Sequence, residues 1–314
     1  QLYPTTRCNQ SCPFCFNAES SHVVDLTFKK ALSLLDILAE NGVRHIDIMG
    51  GEPFLLPWMS DFIEVGLSKG FSLNISTNGS RPVLMRRLRG ISKERFNIGV
   101  SLEGSTAEKH KRLTGSNNFA SAVESIKALA ALALDPIVKT VLNQDTAGDI
   151  QNIVDLIKGF GIDRYYVIHM DVLSKNETRM KKAISYPGFL DFYRRLKDEN
   201  PDIGVYRVNA SCFEKNSLPP GVRCAGGARK LSIMSDGAVF PCNLFHDLRE
   251  FEVGNIFRDT FPDIWEHPRL DFFRVHRKNS CMISGCKNRP SCTGGCPAHC
   301  YYHYRNTEMT DIRC

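Results

Sequence analysis

The sequence predicts an α/β protein: a partial (β/α)6 TIM-like barrel followed by a cysteine-rich C-terminal domain. Three observations carry this. The first half alternates short apolar strands with amphipathic helices, which implies parallel strands joined by right-handed crossovers. About six such strands can be counted, too few to close an eight-stranded barrel. The twelve cysteines sit at the two ends, three in the first fifteen residues and nine at or after Cys212, with none over residues 16–211.

The elements follow in order. A strand is expected before Cys8. A helix opens at Leu26 to Ala31 and runs to about Glu40, with Leu32, Leu35, Ile37 and Leu38 roughly on one side. Thr27 is its N-cap, and Asn41-Gly42 ends it. Strands are expected at Val43 to Met49, Phe71 to Ser76, Phe96 to Ser101, Ile137 to Leu142 and Tyr165 to Met170. Helical stretches near 57–69, 81–89, 119–133 and 148–159 separate them. At 314 residues the chain suits one large α/β domain with a smaller appendage. The expected division is a barrel over 1–185, a bridging region over 186–220 and the cysteine domain over 221–314.

In parallel sheets of this kind ligands sit at the C-terminal strand ends. Three successive strand ends carry Gly50-Gly51-Glu52-Pro53, Ser76-Thr77-Asn78-Gly79 and Ser101-Leu102-Glu103-Gly104. Each alone reads as a plain turn. Together, downstream of a cysteine loop, they mark a binding site in which the glycines let backbone approach a ligand and Glu52 accepts from an ammonium. Lys139, Asn143 and Met170 are further strand-end positions. His169 is read as a satisfied strand histidine.

Composition narrows the function classes. With 42% hydrophobic and 24% charged residues the chain is an ordinary globular protein. A net charge of +6, scattered along the sequence, gives no argument for nucleic acid. No run approaches 18 apolar residues, so no membrane partner is expected. No signal peptide is expected ahead of Cys8, and cysteines kept reduced point to a cytoplasmic location.

The cysteines carry the chemistry. Cys8, Cys12 and Cys15 form a C-x3-C-x2-C run, enough thiolates for three irons of a cubic [4Fe–4S] cluster. A fourth iron left without a protein ligand stays open to a small molecule. A zinc knuckle would need a second pair close by, and none follows for about two hundred residues. At the other end, Cys224, the hairpin signal Asp236-Gly237 and Cys242 precede Cys281-x4-Cys286-x5-Cys292-x3-Cys296, Cys300 and Cys314. Two four-thiolate zinc sites and two iron–sulfur clusters fit this composition equally well.

The N-terminal run, with Phe14 ahead of its third cysteine, resembles the radical S-adenosylmethionine (radical SAM) enzymes over roughly the first 170 residues. The resemblance implies that the open iron binds S-adenosylmethionine and that reductive cleavage releases a 5′-deoxyadenosyl radical. It also implies cofactor contacts. Gly50, Gly51 and Glu52 match the motif at the methionine amino group, and Ser76 and Ser101 match ribose or carboxylate positions. Phe14 matches the aromatic near adenine, and Arg112 a basic residue near the cofactor. The Cys224-x12-Gly237-x4-Cys242 pattern, with Gly254-Asn255-Ile256 and Trp265, looks like the SPASM domain of peptide-modifying members. That likeness implies two auxiliary clusters. One takes Cys224, Cys242 and Cys296, with Cys212 or Cys300 as fourth ligand or an open iron. The other takes Cys281, Cys286, Cys292 and Cys314. The spacing Cys281-x4-Cys286 departs from the family's usual C-x2-C.

The resemblance implies hydrogen abstraction by an oxidoreductase whose substrate is a peptide or protein. A low-potential donor such as ferredoxin or flavodoxin supplies the electron. No catalytic side chain stands out. Members that oxidise sulfatases place an aspartate where this chain has Asn243, which cannot take a proton. Peptide maturases often carry an N-terminal leader-binding extension, which this sequence, starting seven residues before Cys8, does not include. The alternatives are oxidation or decarboxylation of a small molecule such as a tetrapyrrole, and a non-enzymatic iron–sulfur or zinc module.

Overall fold

The structure, a computed structural model, describes residues 1–17, 20, 22, 24–173, 177–214, 218–275, 281 and 283–314. Six parallel strands form one sheet in sequence order: β1 (His45–Ile48), β2 (Ser72–Thr77), β3 (Phe96–Ser101), β4 (Ile137–Leu142), β5 (Arg164–His169) and β6 (Gly204–Val208). Each pairs with its sequence neighbour, as consecutive right-handed βα units require. The helices between them are α1 (Phe28–Glu40), α2 (Met59–Ser68), α3 (Pro82–Arg86), α4 (Ala107–Thr114), α5 (Phe119–Ala131), α6 (Ile150–Lys158), α7 (Glu177–Lys182) and α8 (Tyr186–Glu199).

Alternation along the strands sorts the two faces. Ile46, Ile48, Leu73, Ile75, Ile98, Val100, Val138 and Val167 are buried against the helices in one core with Leu34, Leu35, Phe62, Ile126 and Ile153. The other face, turned into the barrel, is polar. There Asn74 Nδ2 donates to Asp47 at 2.8 Å, Asn97 Nδ2 donates to Asn74 at 3.1 Å, and Lys139 Nζ donates to Ser76 Oγ at 2.6 Å. Thr27 caps α1, its hydroxyl accepting from Lys30 N, as the sequence predicts.

Several details differ from the sequence reading, helices α7 and α8 among them. The sixth strand is not the segment before Cys8 but β6, so the sheet runs through the region read as a bridge. Residues 2–7 instead run beside β1 and its exit: Leu2 N donates to Asp47 O, Met49 N to Leu2 O, Gly51 N to Thr5 O and Glu52 N to Arg7 O. Helix α4 was not foreseen. Its Glu-Lys-His-Lys-Arg stretch has little apolar signal, and it forms because Thr106 caps it while His110 and Leu113 are buried.

After β6 the chain builds a second, smaller sheet of antiparallel strands, β7 (Ser232–Ile233), β8 (Ala238–Phe240) and β9 (Gly254–Asn255), followed by α9 (Phe261–Trp265), α10 (Asp271–Arg274) and α11 (Pro297–Tyr304). The Asp236-Gly237 hairpin lies where the sequence puts it, with shorter strands. Tyr3, Met234, Phe240, Phe245 and Phe273 form a second core here together with Cys212 and Cys296. Leu2 bridges both Ile48 and Ile233 and so joins the two sheets. Among the described residues no helix is long and apolar enough to cross a membrane.

Candidate active site

The cysteine loop at residues 8–15 lies against the C-terminal ends of β2 and β3 and is held by side chains from both. Ser11 N donates to Thr114 O at 2.8 Å, fixing the loop to the end of α4. Buried Asn78, just past β2, donates through Nδ2 to Asn9 Oδ1 at 2.8 Å, and the same nitrogen lies 3.7 Å from Cys8 Sγ. Gln10 Nε2 donates to Asn118 Oδ1 at 3.0 Å, and Gln10 Oε1 lies 3.5 Å from Cys12 Sγ. Asn118 also bonds buried His110 (3.1 Å) and Asn78 O (3.2 Å), closing a polar cradle beneath the thiols. Glu103 is buried near Cys12. It accepts from Val141 N at 3.1 Å, and burial lifts its carboxyl to about 8, so at pH 7 it adds little negative charge beside the thiols. The sequence reading missed His110, Asn118 and Gln10. Their only sequence signal is position next to the loop or on a helix facing it.

The strand-end residues take distinct places. A Cβ on Gly50 would meet Thr5 O at 2.4 Å, and one on Gly51 would meet Arg7 O at 2.0 Å. The close approach that these glycines permit is therefore to the chain entering the cysteine loop. Glu52 is buried with both oxygens engaged: Oε1 accepts from Phe54 N and Thr77 Oγ1, and Oε2 from Asn78 N at 2.6 Å. It braces the β2 exit that carries Asn78, and burial raises its carboxyl above the usual range. Ser76 and Ser101 both lie on the polar inner face. Lys139 reaches Ser76 across Gly99, whose missing side chain makes room for the lysine stem, and burial lowers its ammonium to about 8. Phe14 lines a small cavity with Cys15, Phe16 and Met170 to Leu173. Arg112 is exposed on α4 and is not among the residues that line this cavity. Asn143 caps its own turn, accepting from Asp145 N and Thr146 N. His169 is buried on the outer face, stacked 4.6 Å from Phe189, its ring held neutral by burial.

None of the twelve cysteines, all among the described residues, is in a disulfide. Their side chains gather in three groups. Cys8, Cys12 and Cys15 share the loop. Cys212, buried, lies within thiol contact of Cys224 and Cys296, and Cys242 is close to Cys224 and Cys296. Cys314 lies near Cys281, Cys286 and Cys292. Cys300 turns elsewhere and donates to Met309 O at 2.9 Å. The donor chemistry fits iron–sulfur clusters at all three groups: three thiols at the loop, and two sets of four cysteines in the C-terminal domain. Cys296, His299 and Asp311 also converge within 4.8 Å. That trio does not suit a cation, because Arg313 donates to both Asp311 oxygens at 3.0–3.1 Å.

A parallel partial barrel with a three-cysteine loop at its strand ends, joined to a domain of gathered cysteines, defines a protein whose thiols are arranged for iron–sulfur clusters. The radical SAM superfamily model matches residues 2–157, the model of the SPASM iron–sulfur cluster-binding domain matches residues 224–297, and the chain belongs to the radical SAM superfamily. It is similar to the antilisterial bacteriocin subtilosin biosynthesis protein AlbA of Bacillus subtilis, 25% identical over 93% of this chain and 65% of that protein. It is also similar to the mycofactocin maturase MftC of Mycobacterium ulcerans, 24% identical over 99% of this chain and 85% of that one. The chain thus spans about two thirds of AlbA. Among solved structures, Streptococcus suis SuiB bound to its precursor peptide SuiA has the same fold (TM-score 0.81, 19% identity, 99% of this chain and 74% of that one). So does anSMEcpe bound to S-adenosylmethionine and a peptide (TM-score 0.77, 19% identity, 100% and 92%).

Proposed function

We propose that this protein is a radical SAM enzyme that modifies a peptide or protein. The observation that carries the reading is the closeness of two cysteine sites. Buried Tyr3 lies near both Cys15 of the loop and Cys242 of the C-terminal domain, in a core that Phe16, Cys224 and Cys242 pack against. A substrate bound at the loop would lie close to both. The peptide-linked names of AlbA and MftC, and of the SuiB–SuiA structure, support a peptide over a free metabolite.

The roles fall on residues as follows. Cys8, Cys12 and Cys15 would hold the open cluster. Cys212, Cys224, Cys242 and Cys296 would hold one auxiliary cluster, and Cys281, Cys286, Cys292 and Cys314 the other. Bound together, the open cluster and S-adenosylmethionine supply reductive one-electron chemistry that removes hydrogen from an unactivated C–H. Phe14, Ser76, Ser101 and the Gly50–Gly51 backbone would line the cofactor's place. Arg112 would stay at the rim, and Glu52 would act by bracing rather than by contact. Excluding water from the reacting centre would fall to the barrel and the cysteine domain together. A low-potential ferredoxin- or flavodoxin-type donor and a cytoplasmic location belong to the same proposal.

Two measurements test it. Anaerobically reconstituted protein should carry about twelve irons per chain and almost no zinc. Two zincs with about four irons would remove the auxiliary clusters from the reading. Substrate deuterated at candidate carbons should pass deuterium to 5′-deoxyadenosine. Transfer from a tetrapyrrole or other small metabolite, with none from peptides, would place the enzyme in the small-molecule class.

A further inference from the structure

The segment Met170 to Leu173, just past β5, forms one wall of the cavity whose other wall is Phe14-Cys15-Phe16. Hydrogen bonds from the far end of the chain hold this strap. Helix α11 grips Val172 by both backbone groups: Val172 N donates to His299 Nε2 at 2.9 Å, and His303 Nε2 donates to Val172 O at 2.8 Å. These histidines are four residues apart and so share one helix face. Asp171 is fixed through Oδ1, which accepts from Arg313 Nη1 at 3.0 Å. Arg313 Nη1 also lies 3.5 Å from Met170 O.

Arg313 is the centre of this arrangement. It is buried, and its guanidinium spans two carboxylates from different parts of the fold. Nε and Nη2 meet Asp311 at 3.1 and 3.0 Å, while Nη1 meets Asp171. Asp311 Oδ2 in turn accepts from Cys296 N at 2.8 Å, and Arg313 O accepts from Tyr186 N at 2.6 Å. One cation thus ties a cysteine of the C-terminal domain to the wall of the cleft at the other cysteine site. A lysine cannot copy this, because one ammonium lacks the planar fork that serves two carboxylates at once. Removing a buried partner leaves the facing charges uncompensated.

We propose that Arg313 is a positioning residue for the cofactor cleft, holding the Met170–Leu173 strap against the Phe14–Cys15–Phe16 loop so that S-adenosylmethionine binding at the N-terminal site depends on the C-terminal domain. The proposal rests on the S-adenosylmethionine reading above but not on the identity of the substrate.

The test uses reconstituted holoenzyme of Arg313→Met and Arg313→Lys, with iron counted first. S-adenosylmethionine is titrated into the reduced protein, and binding is read from the change in its electron paramagnetic resonance spectrum. At full iron content, Arg313→Met should bind about tenfold more weakly, equivalent to about 1.4 kcal/mol. Arg313→Lys should recover part of that. Wild-type affinity in a fully loaded Arg313→Met protein overturns the proposal. If that variant does not take up its iron, Asp171→Asn decides, since it keeps the side-chain shape and the Arg313–Asp311 pair. Faster amide exchange at residues 170–173 with weaker binding supports the strap, and unchanged binding overturns it. A wild-type protein that binds no S-adenosylmethionine defeats the parent reading instead, whereas a missing peptide substrate touches neither measurement.

Discussion

Cys12→Ala is expected to abolish 5′-deoxyadenosine formation, by at least about a thousandfold, while iron falls from about twelve to about eight per chain. Three thiolates are the minimum that leaves one iron open, and the loop has no spare. The nearest cysteines in sequence beyond Cys15 begin at Cys212, in the other cysteine domain. The polar cradle cannot substitute, because Asn9, Gln10 and Asn78 are poor iron ligands beside thiolates. Chromatographic assay of 5′-deoxyadenosine after dithionite reduction reads the result. Cleavage at the wild-type rate would refute the assignment of the loop.

The second large effect is expected at Gly51, where the damage is to the fold before it is to the chemistry. The Cβ of an alanine would sit 2.0 Å from Arg7 O and 2.5 Å from Thr6 O. Both are backbone atoms, so no side chain can swing aside. Relief would need residues 5–7 to leave the turn that follows β1, breaking the Gly51 N to Thr5 O and Glu52 N to Arg7 O bonds that deliver the chain to Cys8. A loss of about 3 kcal/mol or more is expected for Gly51→Ala, at the upper end for overpacked sites. Urea unfolding of the reconstituted protein measures it. A change below about 0.5 kcal/mol would mean that the close approach is absent in solution.

The barrel was legible because apolar residues recur at alternate strand positions, bounded by turn residues. Ile137–Leu142 and Phe96–Ser101 fall on their expected bounds, and β2 and β5 within a residue. Helix α4 escaped because its one buried stripe is thin and surrounded by charge. The N-terminal cysteine run was legible from its spacing and the C-terminal set through the family resemblance, which offered Cys212 only as one choice of fourth ligand. Cys212 lies twelve residues from Cys224 and joins it only through the fold, with Thr293 donating to Cys212 O at 3.0 Å to hold its turn. The strand-end loops were legible as a place but less so as chemistry. Glu52 has the residue type for meeting an ammonium, yet local backbone donors reach it first. His110 holds the loop from a helix that the sequence hardly announces, and Asn118 holds it from the cap position of the helix expected near 119–133.

The double bridge at Leu2 bears on how the molecule comes apart. Its amide and carbonyl serve β1, while Tyr3 N donates to Ile233 O and Ile233 N donates to Gln1 O. The same few residues are therefore the edge partner of a parallel sheet and of an antiparallel one. Neither sheet can fray at this seam without uncovering the other, and Tyr3 would be drawn out of the second core at the same time. The two halves that differ so sharply in cysteine content should therefore protect their amides as a single cooperative unit, with exchange at Leu2, Tyr3 and Ile233 proceeding only through opening of the whole chain.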